Sequence, residues 1–291
     1  MQTLAKQEIF ERIRELDPVM GETIISYIQP INVEILRRGL ETRWLGRPLR
    51  IVDECSSTND VVDQMAKAGV PHGLVVIAET QTAGRGRFGR IWISPRGGVW
   101  LSILLRPQSE GIRFDYLPLI GAISIAKPLA EYWGLRAKVR WPNDVVVGGR
   151  KLAGVLVESK SAGNELAYVN IGMGINANFD PSQISALSGS PTTLIRHLGR
   201  AVNREQLIQA ILLEMERMCD ALDAGHELDI QHVLEELDCS RGSFVRVKSS
   251  EGELEGLFEC YETLGRVKIR TSGGHVSVEN YTVVSVDYQS D

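Results

Sequence analysis

Residues 137–176 read AKVRWPNDVVVGGRKLAGVLVESKSAGNELAYVNIGMGIN, and this stretch decides the fold. Four apolar runs stand out, Ala137–Trp141, Val145–Val147, Leu152–Glu158 and Ala167–Ile175. Each is short and bounded by turn residues, the pattern of strands rather than helices. Pro142-Asn143-Asp144 is a turn in its own right and Gly148-Gly149 a hairpin tip. Strands joined by such short turns pair antiparallel, because a parallel return needs a crossover of a dozen residues or more.

Outward from this block, strands and helices alternate. Leu49–Asp53, Leu74–Thr80 and Val99–Leu105 read as strands, with a short helix over Val61–Ala68 between the first two. Leu117–Trp133 is a long apolar helix whose small residues (Gly121, Ala122, Ser124, Ala126) permit close packing. Glu205–Ala224 carries Leu207, Ile211, Leu212, Met215 and Met218 at core spacing. Residues 1–30 read as helical, with Ile9, Phe10, Ile13 and Leu16 on one face, and Asn32 is placed to cap a helix running through Leu40. After Cys239 come short β-runs, Phe244–Lys248, Leu254–Thr263, Arg266–Arg270, His275–Asn280 and Val283–Tyr288, split by Glu251-Gly252 and Gly273-Gly274. The expected class is α+β: a mixed or antiparallel sheet flanked by helices, with an SH3-like β-barrel at the C-terminus. The domains follow as a short helical extension over 1–30, a central domain over 31–238 and the barrel over 239–291.

The 291 residues are 43% hydrophobic and 24% charged, enough to bury a substantial core. The net charge of −5 and pI near 5.7 do not suit nucleic acid. Against that balance, residues 81–107 hold five arginines (Arg85, Arg87, Arg90, Arg96, Arg106) and no acid. Cys55, Cys219, Cys239 and Cys260 are scattered without a CxxC pair, which argues against zinc or a disulfide framework and fits a reducing, cytoplasmic setting. No tripartite leader or run of about 18 apolar residues is present.

Four motifs carry chemistry. Gly84-Arg85-Gly86-Arg87-Phe88-Gly89 matches GxGxxG, but Arg90-Ile91-Trp92-Ile93-Ser94-Pro95 continues as β-like chain and not as the helix a dinucleotide site requires. It is a glycine-arginine loop with forked donors suited to phosphate or carboxylate, and is expected to order only when a ligand binds. Lys151 opens an apolar strand, where an inward-pointing ammonium needs an anion partner. Gly172 and Gly174 lie in a buried strand, marking either a bulge or a ligand against the backbone. Ser56-Ser57-Thr58-Asn59-Asp60 separates a strand from a helix and reads alone as an N-cap.

In this order the motifs resemble the biotin protein ligases: Ser57-Thr58-Asn59, Gln81-Thr82-Ala83-Gly84-Arg85-Gly86-Arg87, Trp141-Pro142-Asn143-Asp144, Arg150-Lys151-Leu152-Ala153-Gly154 and Gly172-Met173-Gly174-Ile175-Asn176. The resemblance spans roughly residues 31–290. It implies a fold related to class II synthetases, with biotin and Mg-ATP giving biotinyl-5′-adenylate, then transfer to one lysine of a biotin carboxyl carrier domain. It implies catalytic roles for Lys151, Arg85, Arg87 and Asp144. Biotin would meet Ser57, Thr58, Asn59, Gln81, Arg85, Gly86, Arg87, Lys151, Gly154, Gly172 and Gly174. The adenylate would meet Arg87, Arg90, Trp92, Asn143, Lys151 and Asn176. Asp144 would help place either Mg²⁺ or the incoming lysine; no resident metal is implied, and a homodimer is compatible.

Bifunctional members of that family carry a winged helix-turn-helix ahead of the ligase part. Residues 1–47 hold seven basic and seven acidic side chains, so no specific DNA binding is expected. The competing enzyme is a lipoate- or octanoate-attaching ligase, whose glycine-rich stretch Arg96-Gly97-Gly98-Val99-Trp100 resembles. A non-catalytic RNA-binding module is disfavoured by six basic against eight acidic residues between Ser240 and Asp291.

Overall fold

The computed structural model describes residues 29–106, 113–162, 165–180 and 190–288. The helix expected ahead of Pro30 falls outside them. In chain order the elements are α1 (Val33–Arg38), β1 (Leu49–Cys55), α2 (Thr58–Lys67), β2 (Val75–Gln81), β3 (Val99–Leu105), α3 (Leu117–Trp133), β4 (Ala137–Arg140), β5 (Asp144–Val147), β6 (Arg150–Ala162), β7 (Glu165–Ile175), α4 (Leu194–Leu198), α5 (Arg204–Asp223) and α6 (Glu227–Leu237). The C-terminal part is β8 (Phe244–Ser249), β9 (Gly252–Thr263), β10 (Arg266–Thr271), β11 (Gly274–Glu279) and β12 (Val283–Tyr288). Among the described residues no helix is long and apolar enough to cross a membrane.

The first seven strands form one sheet in the order β1-β2-β3-β7-β6-β5-β4. Only β1 and β2 run parallel, and α2 is the crossover that such a pair requires. The deciding block behaves as its turns dictate: β4, β5, β6 and β7 are successive antiparallel neighbours. One face of the sheet is covered by α3 and α5. The small residues of α3 set how closely it lies, since a Cβ on Gly121 would come within 2.9 Å of Val155 Cγ1. On the opposite face α2 packs Val62 and Ala66 over Leu74, Val76, Leu104 and Tyr168. Farther along that face Phe179, Trp92 and Ile93 pack around Trp100, and a cavity opens beside them.

Several boundaries differ from the sequence reading. Asn32 caps α1 as expected, its side chain accepting from Glu34 N and Ile35 N. Helix α2 starts three residues earlier than its apolar pattern, because the polar Thr58-Asn59-Asp60 turn is itself helical. The C-terminal strands make an SH3-like antiparallel sheet ordered β11-β10-β9-β8-β12, not a closed barrel. The chain leaves β11 through a single turn at Asn280–Thr282 and crosses to the other edge, so β11 and β12 stay unpaired with each other.

Two buried carboxylates fasten the periphery. Glu79, 1% exposed, pairs with Arg204 at 2.9 Å and accepts from Ile31 N. Glu216 on α5, 3% exposed, accepts from three successive backbone N–H groups, Arg43, Trp44 and Leu45, at 2.8–2.9 Å. Burial alone would push its pKa up, but these donors and Arg43 outweigh burial and bring it below the usual carboxylate range.

Glu216→Ala takes the acceptor from three backbone donors, one buried and two part-buried, and should cost about 2–3 kcal/mol in urea unfolding at neutral pH. Because the folded-state pKa is lowered, the contribution is complete above the ordinary value of 4.5 and fades as pH falls through the folded value. The gap between wild type and variant should therefore narrow on acidification. A gap that is negligible at pH 7, or widens in acid, would contradict this role.

Candidate active site

Successive side chains of a strand point to opposite faces, and that alternation builds the pocket. In β7, Val169, Ile171, Met173 and Ile175 enter the core, which leaves Asn170, Gly172 and Gly174 on the open face. Gly172 sits opposite Ser102 and Leu156, and Gly174 opposite Trp100 and Gly154. The ladder is regular there, so the bulge reading of these glycines fails. They are small because side chains from elsewhere lie on them. A Cβ on Gly172 would come within 2.7 Å of Asn59 Oδ1, and one on Gly174 would collide with the Trp92 indole nitrogen. A Cβ on Gly154 would meet Trp92 Cζ3 and Lys151 Cε at 3.3 Å.

The irregularity lies instead at Leu152. Val145 pairs with Ala153 and Val146 with Lys151, leaving Leu152 as an extra residue. Leu152 and Ala153 both turn into the core at 0% exposure, and Lys151 is re-aimed to the open face. Its anion partner is a protein group, since Lys151 Nζ lies 2.6 Å from Asp144 Oδ1. Arg140 holds the other oxygen of Asp144 at 3.2 Å. Asn143 fastens the turn, donating from Nδ2 to Val155 O (2.7 Å) and accepting from Val155 N (3.0 Å).

The other end of the floor is polar and neutral. Thr58 N and Oγ1 both donate to Gln81 Oε1, at 2.8 and 3.1 Å. Gln81 thus caps α2 from β2; Ser57 has the extended backbone of a cap, but its hydroxyl makes no capping bond. Gln81 Nε2 donates to Ser94 Oγ at 2.8 Å. Ser102 Oγ lies 2.6 Å from Thr58 Oγ1 and donates to Asn59 Oδ1 at 2.5 Å, and Asn59 Nδ2 donates to Glu158 Oε2 at 2.6 Å. Each group is held by the next, so their directions are fixed before any ligand arrives.

The glycine-arginine loop closes one side, and its anchors are polar. Arg85 forks onto Asp60 at 2.6 and 3.1 Å, with Glu158 at 3.7 Å. That hydrogen-bonded pair holds the Asp60 carboxyl below its usual range and pushes Arg85 up. Arg87 donates to the carbonyls of Asn280 (3.0 Å) and Val283 (2.6 Å). Burial brings Arg87 down to about 10, partly offset by Asp144, so it stays charged at neutral pH. Phe88, the residue after Arg87, adopts φ 55°, a left-handed conformation rare for a bulky residue.

Every residue to which the resemblance gives a catalytic, biotin or adenylate role lines one cavity of about 440 Å³. Ser94, Ser102 and Glu158, which hold Gln81, Thr58 and Asn59 in place without themselves lining the cavity, were missed, although alternation alone would have put Ser102 and Glu158 on the face of Gly172. Val283–Val286 and Tyr288 also line it, and nothing local in β12 signals that. Among the described residues no group of three or more His, Cys, Asp or Glu is placed to hold a metal. Arg96, in the stretch that resembles the lipoate-type ligases, pairs with Glu79 and Asp53 instead of lining the cavity. The cavity suits a ligand with a neutral polar head, a flat apolar body and an anionic end.

Residues 52–176 match the model of the biotin/lipoate A/B protein ligase family. Over 257 residues the chain is 32% identical to the bifunctional ligase/repressor BirA of Bacillus subtilis, covering 87% of this chain and 79% of that protein. It is 30% identical over 254 residues to the biotin–[acetyl-CoA-carboxylase] ligase of Mycobacterium tuberculosis, covering 84% and 91%. The structure of the biotin protein ligase from Aquifex aeolicus in complex with biotin and ATP superposes with a TM-score of 0.71 at 26% identity, covering 83% of this chain and 99% of that one.

Gly174→Ala should drive the Trp92 indole off the floor. Its emission, isolated by subtracting the spectrum of Trp92→Phe, should shift to the red and become more open to acrylamide quenching. An unchanged Trp92 signal would mean that the close approach at Gly174 does not constrain the ring.

Proposed function

The chain belongs to the biotin/lipoate A/B protein ligase family, among the biotin protein ligases, and from that premise we propose how its pocket works. The observation that carries the reading is the Lys151 ammonium at the edge of the glycine floor, with Arg140 and Arg87 beside it and the neutral Thr58–Gln81–Asn59 recess opposite. Biotin has the matching parts: a polar ureido ring, an apolar bicycle and chain, and a carboxylate.

In the first step a biotin carboxylate oxygen attacks the α-phosphorus of ATP. The bond from that phosphorus to the bridging oxygen breaks, pyrophosphate leaves with the electron pair, and biotinyl-5′-AMP remains. In the second, the amine of an acceptor lysine attacks the acyl carbonyl, AMP leaves, and the nitrogen loses a proton. No nucleophile from the protein is needed, so its contribution is positioning and charge stabilisation.

Lys151 holds the biotin carboxylate against the α-phosphate and stabilises the charge that builds on the phosphate oxygens. Asp144 and Arg140 keep Lys151 aimed, and Arg85 and Arg87 flank the adenylate. Ser57, Thr58, Asn59 and Gln81 read the ureido ring over Gly154, Gly172 and Gly174. Trp92, Arg90, Asn143 and Asn176 meet the adenine and its phosphate. Mg²⁺ enters as the counter-ion of ATP, an ion that usually relies on substrate phosphates, water and one or two carboxylates; Asp144 is the carboxylate at hand. Residues 31–238 form the catalytic domain and 239–291 the SH3-like one. The acceptor is a biotin carboxyl carrier domain, supported by the named acetyl-CoA-carboxylase ligases of Mycobacterium tuberculosis and Paracoccus denitrificans.

ATP–pyrophosphate exchange tests this directly. Exchange should require biotin, fail with lipoate or octanoate, and fall about 10²- to 10³-fold in Lys151→Ala, the usual loss on removing one transition-state donor. Exchange supported by lipoate or octanoate alone would move the chain to the lipoate side of the family. The even charge of residues 1–47 predicts, in mobility-shift assays, at most weak association with DNA that salt abolishes. A tight operator complex would contradict that.

A further inference from the structure

We propose that Asn280, in the turn between β11 and β12 of the SH3-like domain, is a positioning residue for the activation step. The inference rests on the ligase reading and extends it to a domain in which the sequence marked no functional residue. Asn280 is 2% exposed and every polar group it has is used. Facing its own domain, its backbone N–H donates to Gly265 O at 2.8 Å and its Nδ2 to Leu264 O at 2.9 Å. Both partners lie in the β9–β10 turn, so the SH3-like sheet fixes where Asn280 stands.

From that fixed point its two oxygens reach the catalytic domain. Oδ1 accepts from Trp141 Nε1, and the backbone carbonyl accepts from Arg87 Nη2 at 3.0 Å. Trp141 is the first residue of the turn that carries Asn143 and Asp144, and Asp144 aims Lys151. Arg87 lies in the loop flanking the same end of the cavity. The two groups that converge on the reacting phosphate are thus indexed from one residue in another domain. The rest of the Trp141 environment comes from that side too: Tyr288 Oη donates to Trp141 O (2.8 Å), Ser240 Oγ accepts from Trp141 N (2.9 Å), and the Phe258 ring stacks edge-on at 5.7 Å. An amide suits the position because it donates inward and accepts outward at once. Alanine can do neither, and an ionised aspartate can only accept.

That difference separates positioning from mere folding. Asn280→Asp keeps an oxygen for Trp141 but loses the donor to Leu264, so it should lower the melting temperature while exchange per folded molecule stays near wild type. Asn280→Ala should lose both, with kcat for biotin-dependent exchange falling about 10- to 100-fold and the Trp141 indole N–H resonance moving toward its free position. Should Asn280→Ala not fold, Trp141→Phe cuts the same link from the other side and should show the same loss of kcat. Wild-type kcat and ATP KM in Asn280→Ala or in Trp141→Phe would overturn the inference, as would equal losses in the alanine and aspartate variants that track folded fraction alone. Wild-type protein without biotin-dependent exchange would overturn the ligase reading, and this inference with it.

Discussion

The extra residue at Leu152 is the constraint on which the site depends. A strand with strict alternation would place Lys151 on the same face as Ala153 and Val155, in the core beneath α3. One added residue turns Leu152 inward as well and sends Lys151 to the face that Gly154, Gly172 and Gly174 leave open. The same strand thus packs the core and presents an ammonium beside a flat floor. A one-residue slip anywhere else in β6 or β7 would exchange the two faces, burying glycine and exposing valine. Core packing therefore protects the register of the pocket as a by-product of folding.

Around that floor the charges are settled within the protein, to different degrees. Arg85 and Asp60 are each about one-third exposed, a pair of the kind that contributes about 0–1 kcal/mol, so a ligand anion can compete for Arg85 cheaply. Arg87 is half-buried and anchored on two carbonyls of the neighbouring domain, where leaving those acceptors unpaired would cost more. Lys151 lies between these cases, paired with an Asp144 that Arg140 also holds. The site is preorganised where it must be rigid and loosely paired where an incoming anion replaces an internal one.

Much of this was legible in the chain. The turns at Pro142–Asp144 and Gly148-Gly149 dictated the antiparallel block, and the need of Lys151 for an anion followed from its place in an apolar run. The chemistry of that anion did not follow, because Asp144 comes into range only when β5 folds back on β6. The glycines were read as either a bulge or the seat of a ligand; the ladder is regular instead, and the groups that lie on them, Asn59 in the first turn of α2 and Trp92, arrive from far away in sequence. Short local signals also missed α4 and α6, and could not place Asn280 against Trp141 across 139 residues of chain. What sequence withholds here is long-range pairing, and in this protein the SH3-like domain supplies much of it.

The most direct test of the account is a crystal structure with a non-hydrolysable analogue of biotinyl-5′-adenylate. The bicycle should lie flat over Gly154, Gly172 and Gly174, with its ureido group against Thr58 and Gln81 and the acyl-phosphate linkage within hydrogen-bond distance of Lys151 Nζ. Arg87 should keep its bonds to Asn280 and Val283. An analogue bound with its acyl-phosphate away from Lys151, or a floor still covered by Trp92 with the bicycle elsewhere, would contradict the account.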